Sequence, residues 1–107
     1  MSQWTVELLP EAEEELGALP ADMQARFLHI AGLLESFGPQ HVGMPHIRPL
    51  EQKLWEMRMT GRDGIARAVY VAVKGRRLRV LHVFVKKTQA TPRKAIETAL
   101  IRMEAQE

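Results

Sequence analysis

The sequence predicts an α+β domain in the order β-α-α-β-β-β-α, a small antiparallel sheet with a helical pair before it and a C-terminal helix after it. Three observations predict this. Apolar residues at helical spacing run from Met23 to Phe37, alternating segments fill Leu54 to Val85, and a second helical stripe closes the chain from Ala95 to Met103. The length of 107 residues suits one domain, and 46% apolar content is enough for a core. No repeat, linker or low-complexity segment divides residues 1–107.

Taken in order, Gln3–Leu9 alternates Trp4, Val6 and Leu8 against Gln3, Thr5 and Glu7 and reads as a short strand. Pro10 opens a helix, since proline suits a first turn and Glu11, Glu13 and Glu14 suit its positive end. Leu16 and Leu19 give that helix a thin apolar side, and Gly17 and Pro20 end it. From about Ala21 to Ser36 runs a longer helix whose stripe is Met23, Phe27, Ile30, Leu33, Leu34 and Phe37, stopped by Gly38-Pro39. Gln40–Lys53 keeps no period and reads as a loop over the body. Leu54–Thr60 alternates as a strand, Gly61–Gly64 turns, Ile65–Lys74 is the next strand, and Gly75-Arg76 makes a tight connection into Arg77–Val85. Thr91-Pro92 starts the last helix, a capping hydroxyl followed by proline. Ala95, Ile96, Ala99, Leu100 and Met103 line its apolar side.

Charge is distributed unevenly. Residues 1–51 hold Arg26 and Arg48 against eight acidic side chains, a net of −6, whereas residues 52–107 net +8. The overall +2 hides that dipole. A cationic sheet in a small domain points to a polyanionic partner, nucleic acid first. The chain has no cysteine, which excludes disulfides, zinc-thiolate sites and a cysteine nucleophile. No signal peptide is visible, and nothing approaches the roughly 18 apolar residues of a membrane span, so the expected location is the cytoplasm, away from membranes. No histidine pair has metal-ligand spacing, and there is no glycine-rich phosphate loop and no GxSxG, so neither metal nor cofactor is expected.

Alternation splits each strand into two faces. Trp55, Met57 and Met59 share one face, Glu56 and Arg58 the other. Arg67 shares a face with Ile65, Val69 and Val71, with Tyr70 among alanines opposite. A buried guanidinium needs a partner, and Glu56 on the neighbouring strand is the natural one. The bland outcome is a structural Glu56–Arg67 pair. The sharper one sets Arg58 and Arg67 side by side on an open face, with Glu56 orienting one of them. Lys86, Lys87 and Thr88 fall where the sheet ends and a helix begins, so ammonium and backbone N–H groups could meet on one phosphate. Arg62 in the turn, Arg76, Arg77 and Arg79 around the hairpin, and Arg93 at the helix start are candidate phosphate contacts. His82 is placed by alternation with Val80 and Phe84. A lone histidine in that setting is more often a hydrogen-bonded core or rim residue than a ligand. Met23, Met57, Met59 and Met103 read as core filler.

Three segments in order, LWEMR (Leu54–Arg58), ARAVY (Ala66–Tyr70) and LHVFVKKTQATPRKAIETA (Leu81–Ala99), resemble the RelE/ParE toxin superfamily. The likeness is to its HigB-like, phage-derived branch in type II toxin–antitoxin systems. The resemblance implies a RelE-like fold and a ribosome-dependent endoribonuclease that cuts messenger RNA, held by a cognate helix-turn-helix antitoxin of the HigA type. It implies attack of a ribose 2′-OH on the adjacent phosphate, with a proton acceptor, cations on the phosphate and a donor to the leaving 5′ oxygen. By position Arg67 looks like the family's sheet arginine, Glu56 and Arg58 fall where some relatives carry a lysine pair, and Lys86 and Lys87 where a further basic group sits. The last helix has no tyrosine, and Glu56 stands in place of a cation. Glu56 and His82 therefore both stand as candidate bases. A gyrase inhibitor of the ParE type, or a non-catalytic nucleic-acid-binding module, are the alternatives.

Overall fold

The computed structural model describes residues 3–43, 46–86 and 90–106. Among them the strands form one five-stranded sheet in the order β1-β5-β4-β3-β2, made of β1 (Thr5–Leu8), β2 (Ile47–Pro49), β3 (Trp55–Gly61), β4 (Gly64–Val73) and β5 (Arg77–Lys86). The helices are α1 (Pro10–Gly17), α2 (Ala21–Phe37) and α3 (Arg93–Ala105). The class and the order of elements are those the pattern predicts, with two additions inside the expected loop. Pro39–His41 forms a turn of 3₁₀ helix, and Ile47–Pro49 pairs antiparallel with β3 along the sheet edge. Three residues are too few to show a period, which is why β2 is invisible to alternation.

The sheet is mixed rather than wholly antiparallel. β3, β4 and β5 are joined by short turns and must run antiparallel, but the chain leaves β1 through two helices for β2 at the opposite edge, and β1 lies parallel to β5, pairing Thr5 with Arg77 and Leu8 with Val80. The β4–β5 turn needs positive φ at both Gly75 (83°) and Arg76 (58°). α2 ends where Gly38 takes φ 83° and its N–H closes on the Leu34 carbonyl at 2.9 Å.

A β-bulge between Val69 and Tyr70 changes the faces of β5. Val69 pairs with His82, yet Tyr70 pairs with Val80, so Leu81 is an extra residue. Strict alternation places His82 with Val80. The bulge separates them, leaving Val80 with Tyr70 on one face and moving His82, Phe84 and Lys86 onto the face of Val69, Arg67 and Ile65.

The helices lie on both sides of the sheet. α2 covers the face of Met57, Met59 and Gly61, where a Cβ on Gly61 would stand 2.7 Å from Met23 Cγ. Met23, Phe27, Ile30 and Leu34 are buried there with the two strand methionines, while Phe37 at the end of the predicted stripe is 60% exposed. The opposite face receives α3 through Ala95, Ile96 and Ala99, all buried. Thr91 does not cap α3: Pro92 is the N-cap residue and no side chain bonds the first turn. The Thr91 hydroxyl is spent on the sheet instead.

Candidate functional site

The α3 face of the sheet gathers Glu56, Arg58, Arg67, His82 and Lys86. β3 and β4 align Glu56 with Val69 and Arg58 with Arg67, and β4 and β5 align Arg67 with Phe84 and Ile65 with Lys86. Arg58, Arg67 and Phe84 thus form a row across three strands about 4.8 Å apart. Lys86 stands about 7 Å along β5 from Phe84 on one side and His82 on the other.

Glu56 and Arg67 are both 0% exposed and joined by a 3.0 Å bond from Nη1 to Oε2. Arg48, from the unexpected strand β2, donates Nε to the same Oε2 at 2.8 Å. The Thr91 hydroxyl donates to Oε1, and takes contacts from Arg48 Nη2 at 3.3 Å and Arg67 Nη1 at 3.4 Å. Both oxygens of Glu56 are therefore occupied, and the bland outcome, a structural pair, describes this part of the cluster. Burial lowers the Arg67 pKa; the neighbouring Glu56 charge opposes that, while Arg58 and Arg48 add to the lowering.

Arg58 is the guanidinium in this row that Glu56 does not take. It is partly exposed, and its Nε is buried without a hydrogen-bond partner among the described residues. Three guanidinium groups around one carboxylate leave a local surplus of positive charge, which favours an anion beside Arg58.

Next to this cluster, an open groove of ≈520 Å³ runs between the end of β5 and α3, lined by His82, Phe84 and Lys86 with Lys94, Thr98 and Arg102 among others. The His82 and Phe84 rings stack in it, centroids 5.0 Å apart and planes at 26°. Three cations, an aromatic face and an imidazole around one groove suit a nucleotide strand better than a small apolar ligand. A larger hollow of ≈710 Å³, lined by Leu33, Phe37, His41, Val42 and His46, lies at the other end of α2 and holds no such set.

The remaining candidates divide by location. Arg76, Arg77 and Arg79 sit at the far end of β5 from Lys86. Arg77 and Arg79 bond Glu7 at 3.3 and 2.7 Å, and the Arg79 bond, first among several, lowers the Glu7 pKa. Arg62 lies at the β3–β4 turn near the Lys86 end, with its backbone N–H held by Asp22 at 2.7 Å. Arg93 is occupied by Glu51 and Glu97. Lys87 lies outside the described residues, as does Thr88. The order of residues gives no sign of Arg48, Glu15 and Arg102: Arg48 reaches Glu56 from β2, while Glu15 from α1 and Arg102 from α3 reach His82 on β5. Among the described residues no group of His, Asp and Glu could hold a metal ion, and no helix is long and apolar enough to cross a membrane.

Residues 14–104 match the family described as phage-derived protein Gp49-like (DUF891). No curated protein shows significant sequence similarity to the chain. Among solved structures, free Escherichia coli RelE in a doubly substituted form superposes with a TM-score of 0.67 at 14% identity, covering 95% of this chain and 99% of that one. The RelE–RelB complex of Pyrococcus horikoshii gives 0.60 at 22% identity, covering 83% of this chain and 100% of the matched chain. The RelBE2 toxin–antitoxin complex of Mycobacterium tuberculosis gives 0.59 at 19%, covering 79% and 100%. With a family match over most of its length, the chain belongs to the phage-derived Gp49-like family, and its fold is that of RelE.

Proposed function

We propose that this protein is a HigB-like toxin of a type II toxin–antitoxin system, a cytoplasmic endoribonuclease that cuts messenger RNA on the ribosome. A HigA-like helix-turn-helix antitoxin is its proposed neutralising partner. One observation carries the reading: Arg58, Lys86, His82 and Phe84 share one sheet face beside an open groove.

In this reading a single strand of messenger lies in the groove with a base against Phe84. Arg58 meets the non-bridging phosphate oxygens, where charge grows as the phosphorus becomes five-coordinate, and the buried Arg67 adds to the field from behind. Glu56 serves as the anchor of that field rather than the base, since both its oxygens are engaged and shielded from solvent. His82 takes the proton of the 2′-OH. Lys86 gives a proton to the 5′ oxygen as the phosphorus–oxygen bond breaks, leaving a 2′,3′-cyclic phosphate and a 5′-OH.

The test is a translation extract in which message 5′ ends are mapped after adding the protein. New ends are expected only on ribosome-bound message, reduced about 10²-fold or more by Arg58→Ala or Lys86→Ala in variants that remain folded. Intact messages together with stalled supercoiling by gyrase would replace this reading with the ParE type.

A further inference from the structure

Glu15, on α1, lies outside every motif that carries the family likeness, yet it holds together one wall of the groove. β1 leaves β5 after the Leu8–Val80 pair, so the β5 edge beyond that point lacks a strand partner. Glu15 Oε1 fills the gap, accepting the Val83 N–H at 2.9 Å. The same oxygen lies 3.0 Å from His82 Nδ1. From α3, Arg102 grips both Glu15 oxygens at 3.0 Å and also donates to the Leu81 carbonyl at 3.0 Å. Two groups meet His82 Nδ1, Glu15 Oε1 at 3.0 Å and Arg102 Nη1 at 3.4 Å; the carboxylate is the nearer, and Phe84 stacks on one face of the ring.

Edge satisfaction alone explains the Val83 bond, which any acceptor could make. It does not explain why the carboxylate also takes the imidazole, nor why a partly exposed arginine from α3 clamps it. An imidazole that donates Nδ1–H to a carboxylate keeps its lone pair on Nε2, and that nitrogen is the one free to move a proton.

We propose that Glu15 is a positioning residue for His82. By taking Nδ1–H it fixes the tautomer in which Nε2 accepts the ribose 2′ proton, and Arg102 holds Glu15 in that position. The proposal rests on the ribonuclease reading above for the reaction, and on the geometry of α1, β5 and α3 for the contact. The proton passes from the 2′-OH to Nε2, the 2′ oxygen bonds phosphorus, and the departing 5′ oxygen is protonated from Lys86. The charged groups around the ring are Glu15 from α1, Arg102 and Lys94 from α3, Lys86 on β5 and Arg67 on β4.

The experiment compares the wild type, Glu15→Gln, His82→Ala and the double variant. It uses single-turnover cleavage of ribosome-bound message together with imidazole ¹⁵N shifts recorded on the free protein. Glu15→Gln keeps an oxygen for the Val83 N–H, so a purely structural role leaves cleavage nearly intact. The expected result is a loss of about 10²-fold from Glu15→Gln in the wild-type background. In the His82→Ala background the further loss is less than about twofold, because the two residues act as a unit. The His82 ¹⁵N shifts move away from the Nδ1–H tautomer in Glu15→Gln. Equal losses in both backgrounds, or unchanged ¹⁵N shifts, overturn the positioning role. A wild type that cuts no message overturns the ribonuclease reading and the step at Nε2 with it, while the shifts still decide whether Glu15 sets the tautomer. Should Glu15→Gln fail to fold, Arg102→Gln, which loosens Glu15 without touching Val83, carries the same comparison.

Discussion

Glu56 and Arg58 are two residues apart on one strand face, yet their environments assign them opposite duties. Glu56 is enclosed by Arg48, Arg67 and Thr91. Removing its carboxylate takes the opposite charge from beside two guanidinium groups, one of them fully buried, so Glu56→Ala is expected to lose about 3–5 kcal/mol of stability, read as a lower urea midpoint at unchanged m-value. Arg58 is held by no carboxylate of that cluster and lies directly across from Arg67, whose pKa its charge depresses. Arg58→Ala relieves that repulsion while losing some stem packing, so its stability should stay within about 1 kcal/mol of wild type as cleavage collapses. A large unfolding effect from Arg58→Ala would mean that its charge is compensated in the fold and is not held ready for an anion. Both residues were identifiable from the Leu-x-Glu-x-Arg spacing. Which of them is exposed was not, because exposure depends on Thr91 and Arg48 arriving from either side.

At the scale of elements, α3 is tied to the sheet by a hydroxyl. Thr91 Oγ1 donates to Glu56 and lies within reach of both arginines. Thr91→Val preserves the shape but leaves a buried charged acceptor short of a donor, a loss of about 1–3 kcal/mol by thermal melting. Because Pro92, Lys94 and Ala95 line the groove, the same variant should weaken RNA binding more than its stability loss predicts. On the other face, α2 approaches so closely that Gly61 has no room for a Cβ: Met23 Cγ would be 2.7 Å away and Asp22 Oδ2 3.0 Å. Gly61→Ala is expected to destabilise by about 1–3 kcal/mol, checked by the same melts. Helix α2 and the β3–β5 meander were legible because long periodic stretches declare themselves. The bulge beside Tyr70 was not, since an extra residue leaves no mark in an alternating apolar run, and it decides which face His82 occupies.

Over the whole molecule, the acidic half is used partly to organise the basic half. Glu7 binds Arg77 and Arg79 at one end of β5, and Glu15 binds His82 and Arg102 toward the other. Burial raises the Glu15 pKa, but the bonds from Arg102, the Val83 N–H and His82 outweigh it and hold the carboxyl below its usual 4.5. A carboxyl depressed in the folded state contributes stability above its unfolded pKa and loses it as pH falls through the folded value. Wild-type urea midpoints should therefore drop as the buffer is taken below about pH 4.5, and Glu15→Gln should flatten part of that slope. RNA affinity should fall with salt, and Lys86→Ala should reduce the log–log slope by about 0.7, the share of one phosphate contact on a single strand. Arg79→Ala should change that slope far less, because Glu7 already takes its charge. Periodicity, turn residues and the charge count sufficed for the α+β class, the longer elements and a cationic sheet, because these follow from contacts between near neighbours in the chain. The parallel setting of β1, the bulge, the short strand bearing Arg48 and the Glu15–His82 contact were decided only when distant segments packed together, since hydrogen bonds across such separations leave no local pattern to read.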